Sequence, residues 1–136
     1  DNYNISRRNC FVKSKGRRAI EEILKESLNF SCNGSLITGI ITLEDLEKAD
    51  IADSEIEGIN SYVEQYEEMQ IGVTVRELPD GRSRCSTRTN GNISANDICA
   101  VHGGGGHYHA AVCELDVPPI KARMIMEETC QKFLIV

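Results

Sequence analysis

The chain is organised around one stretch, Val101-His102-Gly103-Gly104-Gly105-Gly106-His107-Tyr108-His109-Ala110-Ala111. Its four successive glycines carry no Cβ, so the loop can adopt positive φ angles and approach another group closely. Successive amide N–H groups in such a loop form a concave site for anions. All three histidines of the chain lie in this stretch, and an imidazole can donate a hydrogen bond to phosphate. The stretch therefore indicates a cradle for phosphate or carboxylate.

A flexible surface loop is the alternative interpretation of a glycine run. A helix-like segment from Asn96 to Val101 precedes the run, and the small apolar Ala110-Ala111-Val112 follows it. The run also lacks the serines of a flexible linker. These features favour a structured loop.

The three histidines raise the alternative of a metal site, because neutral imidazole is a common metal ligand. No carboxylate lies inside the cluster, and the glycines would hold the ligands loosely. We therefore expect no metal here. His102 is expected to act as a cap or dipole partner at a helix end, and the pattern assigns no role to His109.

Composition limits the class of protein. A chain of 136 residues with 40% hydrophobic content predicts one globular domain. A net charge of −6 disfavours non-specific binding to duplex nucleic acid. The stretch from Arg7 to Arg18 holds six basic residues and no acid, which suits phosphate or an acidic neighbouring domain. The stretch from Glu44 to Glu68 holds ten acids and one lysine, and we expect it to be a solvated face.

The six cysteines form no Cys-x-x-Cys pair, so the sequence does not indicate a zinc ribbon. We expect buried free thiols in a reducing compartment and a cytoplasmic location, with no membrane partner, since no apolar run is long enough to span a bilayer. The chain begins at Asp1 without Met and ends on the apolar Phe133-Leu134-Ile135-Val136. We therefore expect a fragment of a longer protein.

Periodicity predicts helices and strands in alternation. The expected helices are Arg17 to Leu28, a short helix capped by Thr42, a helix from Asp53 or Ser54 to about Tyr66, a helix capped by Ser94, and a last helix opened by Pro118-Pro119. The expected strands are a short one at Cys10 to Val12, then Ser35 to Thr42, Gln70 to Leu78 with one buried face, Arg82 to Thr89, and Ala110 to Leu115. This order predicts an α/β fold with a mixed β-sheet of about five strands flanked by helices.

Alternation along the fourth of these strands places Arg82, Arg84 and Arg88 on one face. Exposed arginines on a strand are usually a solvated face. Arg88 lies at the strand's end, where loops collect ligands, and it can grip one phosphate together with the glycine loop. No run of aromatic residues is present, so we expect recognition of a terminal phosphate and not of bases.

Three elements in this order resemble a known family. They are Ile71-Gly72-Val73-Thr74-Val75-Arg76-Glu77, Ser86-Thr87-Arg88-Thr89, and the glycine run with His107 and Ala110-Ala111. Together they resemble the DHH-associated C-terminal domain of the DHH-family phosphoesterases, and the resemblance runs from about Arg17 to Leu134. The most similar subgroup is the nanoRNase type, the bifunctional oligoribonuclease and 3′-phosphoadenosine 5′-phosphate phosphatase.

The resemblance implies a two-domain, manganese-dependent phosphoesterase of which this chain is the substrate-binding half. Residues 1–34 would be a linker segment and helix from a missing catalytic domain, and residues 35–136 the DHH-associated domain. The implied partners are short single-stranded RNA or a phosphorylated nucleotide, the N-terminal catalytic domain, and in addition a second copy of the chain. No catalytic residue, metal ligand or cofactor is expected in this chain. The implied substrate-binding residues are Arg88, Gly103, Gly104, Gly105, Gly106 and His107.

The sequence departs from the family pattern at several places. In the family, an Asp-His-His triplet of the catalytic domain helps to hold the metal ions. This sequence has no such triplet, so the metal centre is absent from it. Thr89 stands where the family has Ser, and Val112 stands where it has Gly. A β-branched Val112 would be strained if that position required a positive φ. Two rivals stay open: the C-terminal domain of a cyclic dinucleotide phosphodiesterase, and a non-catalytic nucleotide- or RNA-binding module.

Overall fold

The computed structural model describes residues 14–134, so the strand expected at Cys10 to Val12 lies outside the described residues. Helices and strands alternate along the chain as the periodicity predicts. The helices are α1 (Lys15–Ser27), α2 (Leu43–Ala49), α3 (Asp53–Ile56), a 3₁₀ helix (Glu57–Gln65), α4 (Ala95–Ala100) and α5 (Pro119–Gln131). The strands are β1 (Asn29–Ser31), β2 (Leu36–Ile41), β3 (Ile71–Glu77), β4 (Ser83–Thr89), β5 (Gly105–Gly106) and β6 (Ala110–Leu115).

The strands form one mixed sheet in the order β1-β2-β3-β4-β6-β5. Strands β2 and β3 are parallel, joined by the crossover through α2, α3 and the 3₁₀ helix, and the other pairs are antiparallel. The mixed α/β fold is therefore confirmed. The sequence predicts about five strands, whereas this sheet has six. The pattern does not indicate β1 and β5, because they have only three and two residues.

The sheet has two faces, and helices cover both of them over β2 and β3. The front face carries Gly39 and Gly72, where a Cβ would lie 2.5 Å from Leu24 of α1 and from Val63 of the 3₁₀ helix respectively. The back face packs against α4 and α5 in the largest core cluster. Gly72 and Thr74 are buried as well as Val73 and Val75, so the expectation of a single buried face for this strand is wrong. The 3₁₀ helix provides the additional cover.

The caps explain where the shorter helices begin. Thr42 Oγ1 accepts a hydrogen bond from the Asp45 amide, and Asp45 Oδ2 accepts one from the Thr42 amide, so the capping box is complete although its acid is Asp. Ser94 caps α4 through the Asp97 amide. Both caps agree with the sequence prediction.

The helix expected from Asp53 or Ser54 to Tyr66 takes a different form. It is α-helical only as Asp53–Ile56 and continues as the 3₁₀ helix. Gly58 has low helix propensity, and its carbonyl accepts a hydrogen bond of 2.8 Å from Arg17 Nη2. The contact joins α1 to the start of the 3₁₀ helix.

Four cysteines, Cys85, Cys99, Cys113 and Cys130, are buried free thiols, whereas Cys32 is exposed. Hydrogen bonding with the Cys85 thiol, together with burial, raises the pKa of Cys113 to about 12. The Cys113 thiol therefore stays protonated at neutral pH, and the four buried cysteines act as core side chains. Among residues 14–134, no helix combines the length and the apolar character needed to cross a bilayer.

Candidate functional site

A groove of about 240 Å³ lies on the front face, between the 3₁₀ helix and β5. It brings together Arg88 of β4 and Gly105–Gly106 of β5, which the sequence predicts as parts of one site. Its lining residues are Glu57, Asn60, Ser86, Arg88, Gly105, Gly106, Ala110, Ala111 and Val112. Gly103, Gly104 and His107 belong to the same loop but do not line the groove.

Strand register explains the space beside Arg88. Strand β6 lies between β4 and β5, and its Ala110 pairs with Arg88 while its Val112 pairs with both Ser86 and Gly105. Two strand spacings, about 10 Å, therefore separate Arg88 from the glycine edge. Only small or short side chains lie between them, so the surface there is concave.

The first half of the glycine run closes α4 and packs against the sheet. The amides of Gly103 and Gly104 donate to the carbonyls of Ala100 and Cys99, at 3.1 and 2.9 Å. Gly103 has a φ of +80°, which suits a glycine just past a helix end. A Cβ on Gly104 would collide with the Val112 carbonyl oxygen, so this position requires glycine for close approach.

The second half of the run forms the rim of the groove. The Gly106 amide donates to Asn96 Oδ1 at 2.9 Å, and the His107 amide donates to the Ala110 carbonyl at 2.8 Å. Gly105–Gly106 pairs with β6 as a two-residue strand. The run is therefore an ordered edge. The amides of Gly103, Gly104 and Gly106, and that of His107 after the run, already have protein acceptors. Its main contribution to the groove is a rim without side chains.

Val112 causes no strain. It lies within β6 and is not among the non-glycine residues with positive φ in residues 14–134. Its side chain lines the groove instead. The departure from the family's glycine at this position therefore changes the groove wall and leaves the backbone unaffected.

Two of the three histidines have hydrogen-bond partners, and these partners differ. His102 Nε2 lies 2.8 Å from Thr129 Oγ1, so its ring ties the loop to α5, where a cap or dipole partner of its own helix was expected. His109 Nε2 lies 3.0 Å from the Gly91 carbonyl oxygen. The exposed His107 ring has no hydrogen-bond partner among residues 14–134. Within those residues, no group of three His, Cys, Asp or Glu side chains is arranged to hold a metal.

The arginines along β4 lie on one face of the sheet, and acidic side chains neutralise their charges. Arg88 Nη1 lies 3.1 Å from Glu64 Oε2, and Arg84 lies 3.3 Å from Glu114 and 3.8 Å from Glu57. Ion pairs also join Arg82 to Glu114 and Asp116, and Arg76 to Glu57. The groove therefore has little net positive charge.

The same ion pairs correct the expectation that the acidic stretch from Glu44 to Glu68 is only a solvated face. Glu57 and Glu64 come from the acidic stretch, and both pair with sheet arginines. Asn60, which is buried and lines the groove, donates to Glu57 Oε2 at 3.2 Å. Sequence analysis missed Asn60 and Glu64 as site residues, because only the crossover packing of the 3₁₀ helix brings them beside β4.

The family profile of the DHHA1 domain matches residues 33–133. The chain belongs to the DHHA1 domain family. The matched range contains β2 to β6 and all the groove residues. No curated protein matches the sequence.

Two solved structures share the fold of this DHHA1 domain. An exopolyphosphatase-related protein of Bacteroides fragilis aligns with 98% of this chain and 39% of its own, with a TM-score of 0.84 and 20% identity. The pGpG-specific phosphodiesterase PggH of Vibrio cholerae aligns with 86% of this chain and 38% of its own, with a TM-score of 0.58 and 14% identity. The aligned part is thus about two fifths of the length of each solved protein. At these identities the likeness shows the fold.

Proposed function

We propose that this DHHA1 domain is the substrate-binding domain of a DHH-family phosphoesterase that hydrolyses short oligoribonucleotides or 3′-phosphoadenosine 5′-phosphate. Membership in the DHHA1 family and the groove on the front face support the proposal. Manganese would belong to a separate N-terminal catalytic domain. In this proposal the chain contributes residues that bind the substrate, and the metal ligands come from the catalytic domain. The division at residue 34 and the cytoplasmic location stay predictions.

The observation that carries the proposal is the pairing of Arg88 with a side-chain-free rim across one small groove. A guanidinium has five N–H donors in a planar fork that matches phosphate, and the Glu64 contact involves only Nη1. Ser86 also lines the groove, and its hydroxyl has no hydrogen-bond partner among the described residues. A terminal phosphate placed here would meet Arg88 on one side and the Gly105–Gly106 backbone on the other.

The remaining predicted residues would act around that phosphate. Gly103 and Gly104 fix the path of the loop, because their amides hold it to α4. The exposed His107 ring follows the rim directly and is free to donate to a second phosphate or a sugar hydroxyl. The proposal thus gives Arg88, His107 and the Gly105–Gly106 backbone direct contacts, and Gly103 and Gly104 a shaping role.

Chemical-shift titration of the isotope-labelled chain tests the proposal. The ligands are a 5′-phosphorylated diribonucleotide and 3′-phosphoadenosine 5′-phosphate, and the proteins are the wild type, Arg88→Ala and His107→Ala. We expect saturable shifts from Gly103 to His107 that weaken in both variants. An Arg18→Ala variant is the control, because Arg18 is an exposed arginine on α1, away from the groove-lining residues. Binding that is unaffected by Arg88→Ala would reject the groove as the phosphate site.

A second candidate is the corresponding domain of a cyclic dinucleotide phosphodiesterase. The shared fold with a pGpG-specific phosphodiesterase is consistent with a dinucleotide substrate, and because pGpG is linear and 5′-phosphorylated this likeness does not distinguish the cyclic from the linear form. A cyclic dinucleotide has no terminal phosphate, so its binding discriminates between these two candidate functions. If the chain binds the cyclic form at least as tightly as the linear one, this candidate replaces the first. A non-catalytic module remains the third, and the absence of an Asp-His-His domain from the full-length polypeptide would support it.

A further inference from the structure

An exposed aromatic side chain lies directly beyond the groove. Tyr108 sits in the turn between β5 and β6, and 51% of its surface is exposed. Its hydroxyl has no hydrogen-bond partner among residues 14–134. Neither core packing nor a polar anchor therefore accounts for the ring, and about half of its surface is open to solvent.

Hydrogen bonds hold the backbone of this turn on both sides. The Tyr108 carbonyl accepts from the Ala95 amide at 2.6 Å and from Thr89 Oγ1 at 3.3 Å. The Thr89 amide donates to the His109 carbonyl at 3.1 Å. The turn is thus tied to the end of β4 and to the start of α4, so its aromatic side chain projects from a rigid base.

The tyrosine ring is also supported from the side. The rings of Tyr108 and His109 meet edge to face, with centroids 4.8 Å apart and an interplanar angle of 84°. The His109 ring is itself held by the Gly91 carbonyl at 3.0 Å. A ring fixed before a ligand arrives loses little conformational entropy on binding.

Register places this ring close to the phosphate position. Ala110 pairs with Arg88, and Tyr108 precedes Ala110 by two residues, a path of about 7 Å. Thr89, which bonds to the Tyr108 carbonyl, directly follows Arg88 in the chain. The backbones of Arg88 and Tyr108 therefore lie close together at one end of the groove.

We infer that Tyr108, supported by His109, is a base-stacking residue of the groove. The ligand is then a nucleotide whose phosphate meets Arg88 while its base lies on the Tyr108 ring. This inference rests on the proposed function and extends it from a terminal phosphate to a phosphate joined to a base. Stacking accepts every base, so the site distinguishes nucleotides from other phosphates without reading sequence. Tyr108 is a single aromatic residue, so this stacking requires no run of aromatic residues in the sequence.

Binding of adenosine 5′-monophosphate and of ribose 5-phosphate, which lacks the base, tests the inference by calorimetry. We expect the nucleotide to bind the wild type about fivefold to a hundredfold more tightly. Tyr108→Ala should remove that difference and leave ribose 5-phosphate binding unchanged, whereas Tyr108→Phe should keep it. Phe30→Ala is the matched control, since Phe30 is also 51% exposed but lies on β1 at the opposite edge of the sheet.

The outcomes separate this inference from the proposed function. Equal binding of the two ligands, or a Tyr108→Ala variant that binds the nucleotide like the wild type, would overturn the stacking role alone. Nucleotide binding that depends on Tyr108 but not on Arg88 would uphold stacking and reject the phosphate grip. A wild type that binds neither ligand at millimolar concentration would overturn both. Exposed Tyr108 carries little core packing, so its variants should fold, which an amide spectrum verifies.

Discussion

Arg88 Nη1 lies 3.1 Å from Glu64 Oε2, so an ion pair links the groove arginine to the 3₁₀ helix. The side chains of Arg88 and Glu64 are 28% and 46% exposed, and such a pair contributes about 1 kcal/mol or less. In the proposed complex, a phosphate oxygen takes the place of this carboxylate beside Nη1. A doubly charged phosphate can therefore replace it, at a small cost in affinity.

Glu64→Gln should increase affinity for a nucleotide phosphate, because it removes that competitor. From the usual strength of exposed ion pairs we expect about twofold to fivefold tighter binding. Glu67→Gln is the control, since Glu67 is exposed, makes no ion pair among residues 14–134, and changes the net charge equally. Calorimetric titration of both variants measures the difference. An equal gain in both would show a general charge effect and no competition at Arg88.

Gly104→Ala should destabilise the fold. The new Cβ would collide with the Val112 carbonyl oxygen and lie 2.7 Å from Cys113 Cα, so backbone must shift. We expect a loss of about 1–3 kcal/mol in the free energy of unfolding, measured by urea denaturation. Gly105→Ala meets only Asn96 Oδ1, at 3.0 Å, and should cost less. Equal losses for the two variants would contradict the assigned close approach.

Asn96 should support ligand binding without contacting the ligand. Its Oδ1 holds the Gly106 amide, which shapes the rim opposite Arg88. Asn96→Ala removes this acceptor and should lower stability by about 1 kcal/mol and weaken nucleotide binding. Asn96→Asp keeps the acceptor oxygen and should retain both properties better than Ala. Ligand affinity that stays at the wild-type level in Asn96→Ala would show that the rim needs no such support.

Stability should fall at alkaline pH. Burial, followed by the contact with Tyr62, raises the pKa of Tyr66 to about 12, and the Cys113 thiol has a similarly raised pKa. In the unfolded chain both groups lose their protons at lower pH, because free thiols and phenols have pKa values of about 8.5 and 10. Their contribution is thus complete below those values and is lost as the pH rises towards 12.

The urea midpoint measured from pH 8 upwards checks this dependence. Tyr66→Phe removes one of the two groups, so its midpoint should decline less steeply than that of the wild type. Tyr3→Phe provides a comparison in which a tyrosine outside the described residues is changed. A midpoint of the wild type that stays constant over the same pH interval would contradict the assigned environments.

Sequence pattern was sufficient for the elements with strong local signals. Alternating valines marked β3, the β-branched run marked β2, and Thr42 with Asp45 marked the start of α2. The pairing of Arg88 with the glycine loop in one groove also followed from their positions at strand and helix ends. These features depend on residues close together in the chain, where periodicity and capping are informative.

Other features depend on contacts between distant segments. Strand β1 is the exception: it is folded back on β2 by a short local turn with positive φ at Cys32, Asn33 and Gly34, and its three residues are too few to show a pattern. The Arg17–Gly58 hydrogen bond joins α1 to the 3₁₀ helix, and the Glu64–Arg88 pair depends on the crossover. Local patterns contain no information on such contacts.

The most direct measurement is a crystal structure of the chain with a 5′-phosphorylated diribonucleotide. The account predicts a terminal phosphate bonded to Arg88 beside the Gly105–Gly106 rim, Glu64 released from the guanidinium, and a base on the Tyr108 ring. A ligand bound elsewhere, with the Arg88–Glu64 pair intact and the groove empty, would contradict the account.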